Sequence, residues 1–260
     1  MFRLVLLGLL SWSISMSSRA DTTSHDYVVT VVQGMVSSDG NAIDFMAQLA
    51  PGHTVELGTD AQLVLFRFRS ATEYTLVGPG RFATRDSGIV RTSTTGTLQQ
   101  RAMDPAFRQA VPGASLIQAG VTMRAGVATA RDTPHNGESV APGAPTFRWN
   151  ERPHTGDYGF LLADADDRVL AQARPAGNEL TLPDVRLAPG AAYRWELRWR
   201  DPSGQARMSM YRFQALSAQD AATLERLRPR PDASRSEAIV FGLWLRSVGA
   251  LSLAEPYLAP

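Results

Sequence analysis

The sequence contains no cysteine and no lysine. Lacking cysteine, it has no disulfide scaffold, no thiolate metal site, no thiol nucleophile and no N-terminal cysteine to carry a lipid. Lacking lysine, it cannot run Schiff-base chemistry or build a G-x-x-x-x-G-K phosphate loop. All 26 basic residues are therefore arginine, set against 25 Asp plus Glu. There is no G-x-G-x-x-G fingerprint, which argues against a nucleotide cofactor. There is no G-x-S-x-G nucleophile elbow and no H-x-x-x-H pair either. The four histidines, His25, His53, His135 and His154, are scattered and read as turn and surface positions.

What is present is ordinary globular composition. The chain has 260 residues, 44% hydrophobic and 20% charged, with 21 Gly and 16 Pro. At about 100–150 residues per domain, this length predicts two domains. Residues 1–20 begin with Arg3, run apolar from Leu4 to Met16 and end in Ser18-Arg19-Ala20. Charged start, short apolar centre and small-x-small exit predict a secretory signal cleaved after Ala20. The apolar run is shorter than the ~20 residues of a membrane span, and no later segment approaches that length, so no stable membrane insertion is expected. Losing Arg3 and Arg19 leaves 24 Arg (26 − 2) against 25 acids, a balance of −1. A near-neutral chain has no electrostatic footprint for nucleic acid. A cysteine-free, arginine-only exported protein suits a bacterial periplasm.

Residues 26–125 predict a β-rich domain. Tyr27–Val36 is dense in β-branched residues and ends at a Ser-Ser-Asp-Gly turn. Short strands follow at His53–Leu57, Gln62–Arg69, Glu73–Val77 and Gly88–Thr94, spaced as in an antiparallel sandwich or barrel. In Gln62–Arg69, Val64, Phe66 and Phe68 share one face while Arg67 and Arg69 take the other, which predicts a half-buried strand with a solvated back. The run from Leu49 to Thr84 (LAPGHTVELGTDAQLVLFRFRSATEYTLVGPGRFAT) resembles a FecR-type periplasmic β domain in its apolar spacing and its Gly-Pro-Gly close. The resemblance implies a role in envelope signalling or assembly. Membrane-spanning FecR regulators carry a cytoplasmic segment and an internal span, and neither is visible here. Signal transfer across the membrane by this chain alone is therefore not expected.

Residues 97–125 read as a less regular connection with a short helix around Asp104–Ala110, and 126–145 as a Pro/Gly/Ser-rich linker. A second β domain is predicted over 146–215. Its clearest strand is Ala192–Arg200, where Tyr193, Trp195, Leu197 and Trp199 alternate with Arg194, Glu196, Arg198 and Arg200. About six short strands in some 70 residues predict an antiparallel sandwich, and the pattern is similar to immunoglobulin or fibronectin-III modules. From Ser217 the period becomes helical. One helix is predicted to Arg228, a second over about Ser234–Val248 with Gly249 as its C-terminal cap, and a third start at Leu251. This 217–260 tail resembles a single degenerate TPR-like helix pair. One repeat cannot bury its own face, so the tail is expected to pack on the second sandwich. The fold class is thus mainly β: two small antiparallel sandwich or barrel-like domains with a C-terminal helical hairpin.

Chemistry is sparse. Asp164, Asp166 and Asp167 offer the clustered oxygens Ca²⁺ prefers, but they lack the glycine and distal Glu of a calcium loop and sit where a hairpin needs turn residues. No catalytic, cofactor-binding or metal-ligating residue is assigned. The candidate recognition surface is the arginine face Arg194, Arg198 and Arg200, extended by Arg207 if the two strands pair. The leading expectation is a non-catalytic periplasmic interaction or sensory-accessory protein that engages another envelope protein. The alternative is a polysaccharide- or peptidoglycan-binding module using Trp199 and Tyr211. A hydrolase built from loops is the third class and would require one of the histidines to meet a serine and a carboxylate.

Overall fold

The computed structural model describes residues 26–110 and 132–258. The expected secretory signal at 1–20 and its expected cleavage point lie outside the described residues, as does 126–131 of the expected linker. The first ten strands are β1 (Tyr27–Gln33), β2 (Val36–Ser38), β3 (Asn41–Ala42), β4 (Gln48–Leu49), β5 (Thr54–Leu57), β6 (Gln62–Arg67), β7 (Thr72–Val77), β8 (Gly80–Arg85), β9 (Gly88–Arg91) and β10 (Thr97–Ala102), followed by the short α1 (Ala106–Ala110). They form two five-stranded sheets, ordered β10-β7-β6-β1-β4 and β3-β2-β5-β8-β9. Tyr27–Val36 is therefore not one strand. Gly34, at φ +74°, turns the chain from one sheet into the other, and a Cβ there would sit 3.0 Å from the Ala61 backbone. Leu63, Leu65, Tyr74, Leu76, Phe82 and Val55 fill the space between the two sheets.

The second half contributes β11 (Glu138–Val140), β12 (Thr146–Arg148), β13 (Thr155–Asp164), β14 (Val169–Ala173), β15 (Glu179–Thr181), β16 (Ala192–Arg200) and β17 (Ala206–Ala215). A five-stranded sheet, β11-β17-β16-β13-β14, faces the two-stranded β12-β15. Phe147, Trp149, Phe160, Trp195, Leu197 and Phe213 pack between them. The antiparallel sheets and the helical C-terminus agree with the mainly β class. The stretch read as a linker is part of this sheet from residue 138: β11 pairs in parallel with β17, and Glu138 is 1% exposed.

Three helices close the chain: α2 (Ala218–Leu227), α3 (Arg235–Ser247) and α4 (Leu251–Leu258). Ser217 and Ser234 cap the first two, their hydroxyls accepting from the Asp220 and Glu237 amides. Gly249, at φ +79°, follows α3. The helices do not rest on the second sandwich as expected. Ile239, Val240, Leu243 and Trp244 pack on the outer face of the first sheet, against Val28, Phe66 and Phe68. The reason lies in the two available faces: that of β1 and β6 is apolar, whereas that of β16 carries arginine and glutamate. The second sheet is met at the turn into α4, where the Ser139 amide donates to the Gly249 carbonyl at 2.9 Å and the Ser252 amide donates to Glu138 at 2.8 Å.

The first sheet is consequently covered on both sides, which corrects the expected solvated back of β6. Arg67 is 5% exposed, paired with Asp26 and donating to the Asp86 carbonyl. Its guanidinium also lies 5.5 Å from the centre of the Tyr27 ring. Burial pushes the Tyr27 phenol up to about 12, with Arg67 opposing the rise.

Candidate functional site

The arginine face of β16 divides in two. Toward the start of the strand, Glu196 is 4% exposed and is clamped by Arg194 and Arg198 along the same strand. Arg194 also bonds Asp167 at 2.8 Å, and that bond is the main reason its guanidinium is held above the ordinary arginine range. Arg194 thus belongs to a structural ion network rather than to a free surface. The carboxylate cluster that contains Asp167 is likewise used by the fold. Asp164 Oδ1 accepts from the Asp166 and Arg168 amides at 3.0 and 2.9 Å, making the β13–β14 turn. Among the described residues, no group of three or more acids or histidines is placed to hold a metal ion.

The other half opens into a cleft of about 540 Å³ at the end of the second sandwich, and Arg198, Arg200 and Arg207 line it. A fourth arginine, Arg174, lines it as well. This residue was not singled out in the sequence because it follows a short, exposed strand and belongs to no alternating run. Strand register shows how the group assembles. β13 pairs Phe160 with Ala173 and Gly159 with Arg198, so Gly159 lies between Arg174 and Arg198 on the outer sheet face. Gly159 has no side chain to fill the gap. With adjacent strands about 4.8 Å apart, the two arginine Cα atoms stand roughly 10 Å from each other across it. Beyond Gly159 the register shifts: Gly156, Asp157 and Tyr158 bulge between the Thr155–Arg200 and Gly159–Arg198 pairs. That bulge forms one wall.

Arg207 departs from the expected extension of the arginine face. It pairs in register with Trp199, so it stands on the inner face with Trp195 and Leu197 and reaches the cleft from the opposite side. Asp201 holds it at 3.0 Å. The Ser203 hydroxyl first, then the Gln205 amide and Arg207, bring the Asp201 carboxyl down to about 2. Arg200 donates to the Gly204 carbonyl at 3.0 Å. No acid pairs with it among the described residues, and Arg174 has no partner there at all.

The aromatic pair proposed for sugar stacking separates. Tyr211 stacks on Trp195 at 4.6 Å, and its hydroxyl donates to the buried Asp132 at 2.5 Å, so it is committed to the fold. Trp199 lines the cleft while the Arg152 guanidinium covers its ring at 4.8 Å. Each described histidine also has a local partner. His53 pairs with Asp39 at 2.5 Å, His135 with the buried Glu138 at 2.8 Å, and His154 stacks on Tyr158 at 4.2 Å. His25 lies outside the described residues.

No protein-family model matches the chain, and no curated protein matches its sequence. Among solved structures it is similar to CopC from Methylosinus trichosporium OB3b, at 19% identity and a TM-score of 0.27. The match covers 34% of this chain and 92% of that one. At that score the likeness decides neither fold nor ligand. No helix among the described residues is long and apolar enough to cross a membrane.

Proposed function

We propose that the chain is an exported, non-catalytic recognition protein of the bacterial cell envelope that binds through the arginine-lined end of its second sandwich. The observation that carries this reading is the gathering of Arg198 and Arg200 from β16, Arg207 from β17 and Arg174 from just past β14 around one open cleft. Arginine presents planar, bidentate donors suited to carboxylates and phosphates, and two of these four lack an acidic partner among the described residues. The signal-like residues 1–20 support export, and the FecR-type spacing of Leu49–Thr84 supports an envelope role. On this view the first sandwich with its helical layer is the scaffold and the second sandwich is the reader.

The partner class follows from the lining. A protein partner, the leading expectation from sequence, needs apolar pockets for anchoring side chains. This cleft is open and mixed: Trp199, Ala206 and Met208 line it beside the four arginines, but the Trp199 ring is already covered by Arg152, and the guanidiniums favour an anionic envelope polymer. The test is retention of the full exported chain on purified envelope polymers, alongside crosslinking in cells. Retention that fails with Arg200→Glu supports the proposal. One dominant crosslinked protein, insensitive to Arg200→Glu and Arg174→Glu, would refute it.

A further inference from the structure

Resting on that reading, the cleft geometry points to a definite ligand chemistry: we propose that it binds a carboxylated polysaccharide, with one uronate carboxylate lying over Gly159 between Arg174 and Arg198. The donor and acceptor inventory leads there. The four guanidiniums are donors only, whereas Asp157 accepts only and the Thr155 hydroxyl does both, and all of them line the cleft. A ligand that satisfies this set carries an anionic acceptor and hydroxyl donors together. A uronic acid has both on one ring. A chain of acidic side chains carries the carboxylates but has no hydroxyl to donate to Asp157.

Spacing and shape agree. Arg198 and Arg200 are two residues apart on one strand, about 7 Å, and Arg174 stands roughly 10 Å from Arg198 across the glycine. Charges set out at such intervals over an open cleft suit a polymer with one charge per repeat better than a single small anion, which needs converging donors. Existing ion pairs do not block this. Arg198 and Arg207 each hold an acid, but a guanidinium has five N–H donors and can take a second partner.

Gly159 supplies a clean steric probe. Its φ is not in the left-handed region, and a Cβ there would meet only Arg198, at 3.7 Å, an ordinary contact. Gly159→Leu therefore places a side chain over the gap without straining the backbone. The experiment is calorimetric titration of the full exported chain with polygalacturonate, with its methyl ester (the same backbone without the charge), and with polyglutamate. Near-UV circular dichroism verifies each variant's fold. We expect polygalacturonate to bind, its methyl ester and polyglutamate to bind at least tenfold more weakly, and Arg174→Glu and Gly159→Leu each to cost tenfold or more. Equal binding of the methyl ester would overturn the inference in favour of a neutral glycan, and equal binding of polyglutamate in favour of an acidic protein. Absent polygalacturonate binding, with retention on native envelope polymer still lost in Arg200→Glu, would overturn this inference alone. Loss of both would overturn the proposed function with it.

Discussion

Replacing Trp244 by alanine tests whether the helical layer supports the first sheet. Trp244 is 2% exposed, stacks on Phe241 at 5.9 Å, and belongs to the same apolar cluster as Val28 and Phe66. Removing a buried aromatic side chain of this size costs about 3–5 kcal/mol, the lost transfer energy plus a cavity that α3 and the sheet only partly close. That is a large share of the roughly 5–15 kcal/mol that holds a domain folded. A bulk unfolding curve would blur the effect, because a chain with two β units need not unfold in one step. Site-resolved hydrogen exchange separates them. At about 1.4 kcal/mol per tenfold, the most protected amides of β1 and β6 should lose protection by a factor between about a hundred and a few thousand. Those at the centre of β13 and β16 should change little. Loss concentrated in β13 and β16, or a loss in β1 and β6 below about tenfold, would refute the seating of the helices on the first sheet.

Three further outcomes follow from local geometry. Glu196→Ala should lower stability by about 1–3 kcal/mol, because it leaves Arg194 and Arg198 without their shared acceptor; chemical denaturation measures this, and half-exposed Arg198 keeps the cost from being larger. Ser234→Ala should cost about 1.5 kcal/mol as a lost N-cap. A cost in the upper half of the usual 0.5–2 range is expected because the same hydroxyl accepts from Arg101 at 2.8 Å; thermal unfolding checks it. Asp201, brought down to about 2, supports its turn at any pH above about 4, and that support is lost as pH falls from about 4 to 2. A carboxyl-carbon NMR titration should place its midpoint near 2, and Ser203→Ala should move that midpoint back up.

The elements legible in the sequence were those with strong periodicity or a cap. β16 was bounded to the residue because Tyr193, Trp195 and Leu197 alternate with charges over nine positions. The helices were bounded within one residue by Ser217, Ser234 and Gly249, whose chemistry is local. β10 was missed because it is an edge strand: Thr97–Ala102 is almost wholly exposed, so it shows no apolar face, and its pairing with β7 is a long-range fact. β11 was missed for the opposite reason. Its glutamate is buried, but the β17 strand it pairs with and the Ser252 amide that donates to it lie far along the chain, and the local sequence shows only a Pro/Gly-rich neighbourhood.

The candidate site shows the same limit at closer range. Alternation along β16 identified Arg198 and Arg200, but it could not show that Glu196 takes up Arg194, since a run of alternating charges looks solvated until the clamp is seen. Nor could it find Arg174 or the role of Gly159, which exist as a group only once β13 is set between β14 and β16. A one-residue slip of that register would turn Gly159 to the inner face and put Tyr158 or Phe160 between the two arginines. The inward packing of Tyr158, Phe160 and Leu162 against Trp149, Phe147 and Trp195 prevents the slip. The aromatic core of the second sandwich therefore does more than stabilise it: by fixing which residues of β13 face inward, it sets the glycine between the arginines and thereby makes the cleft.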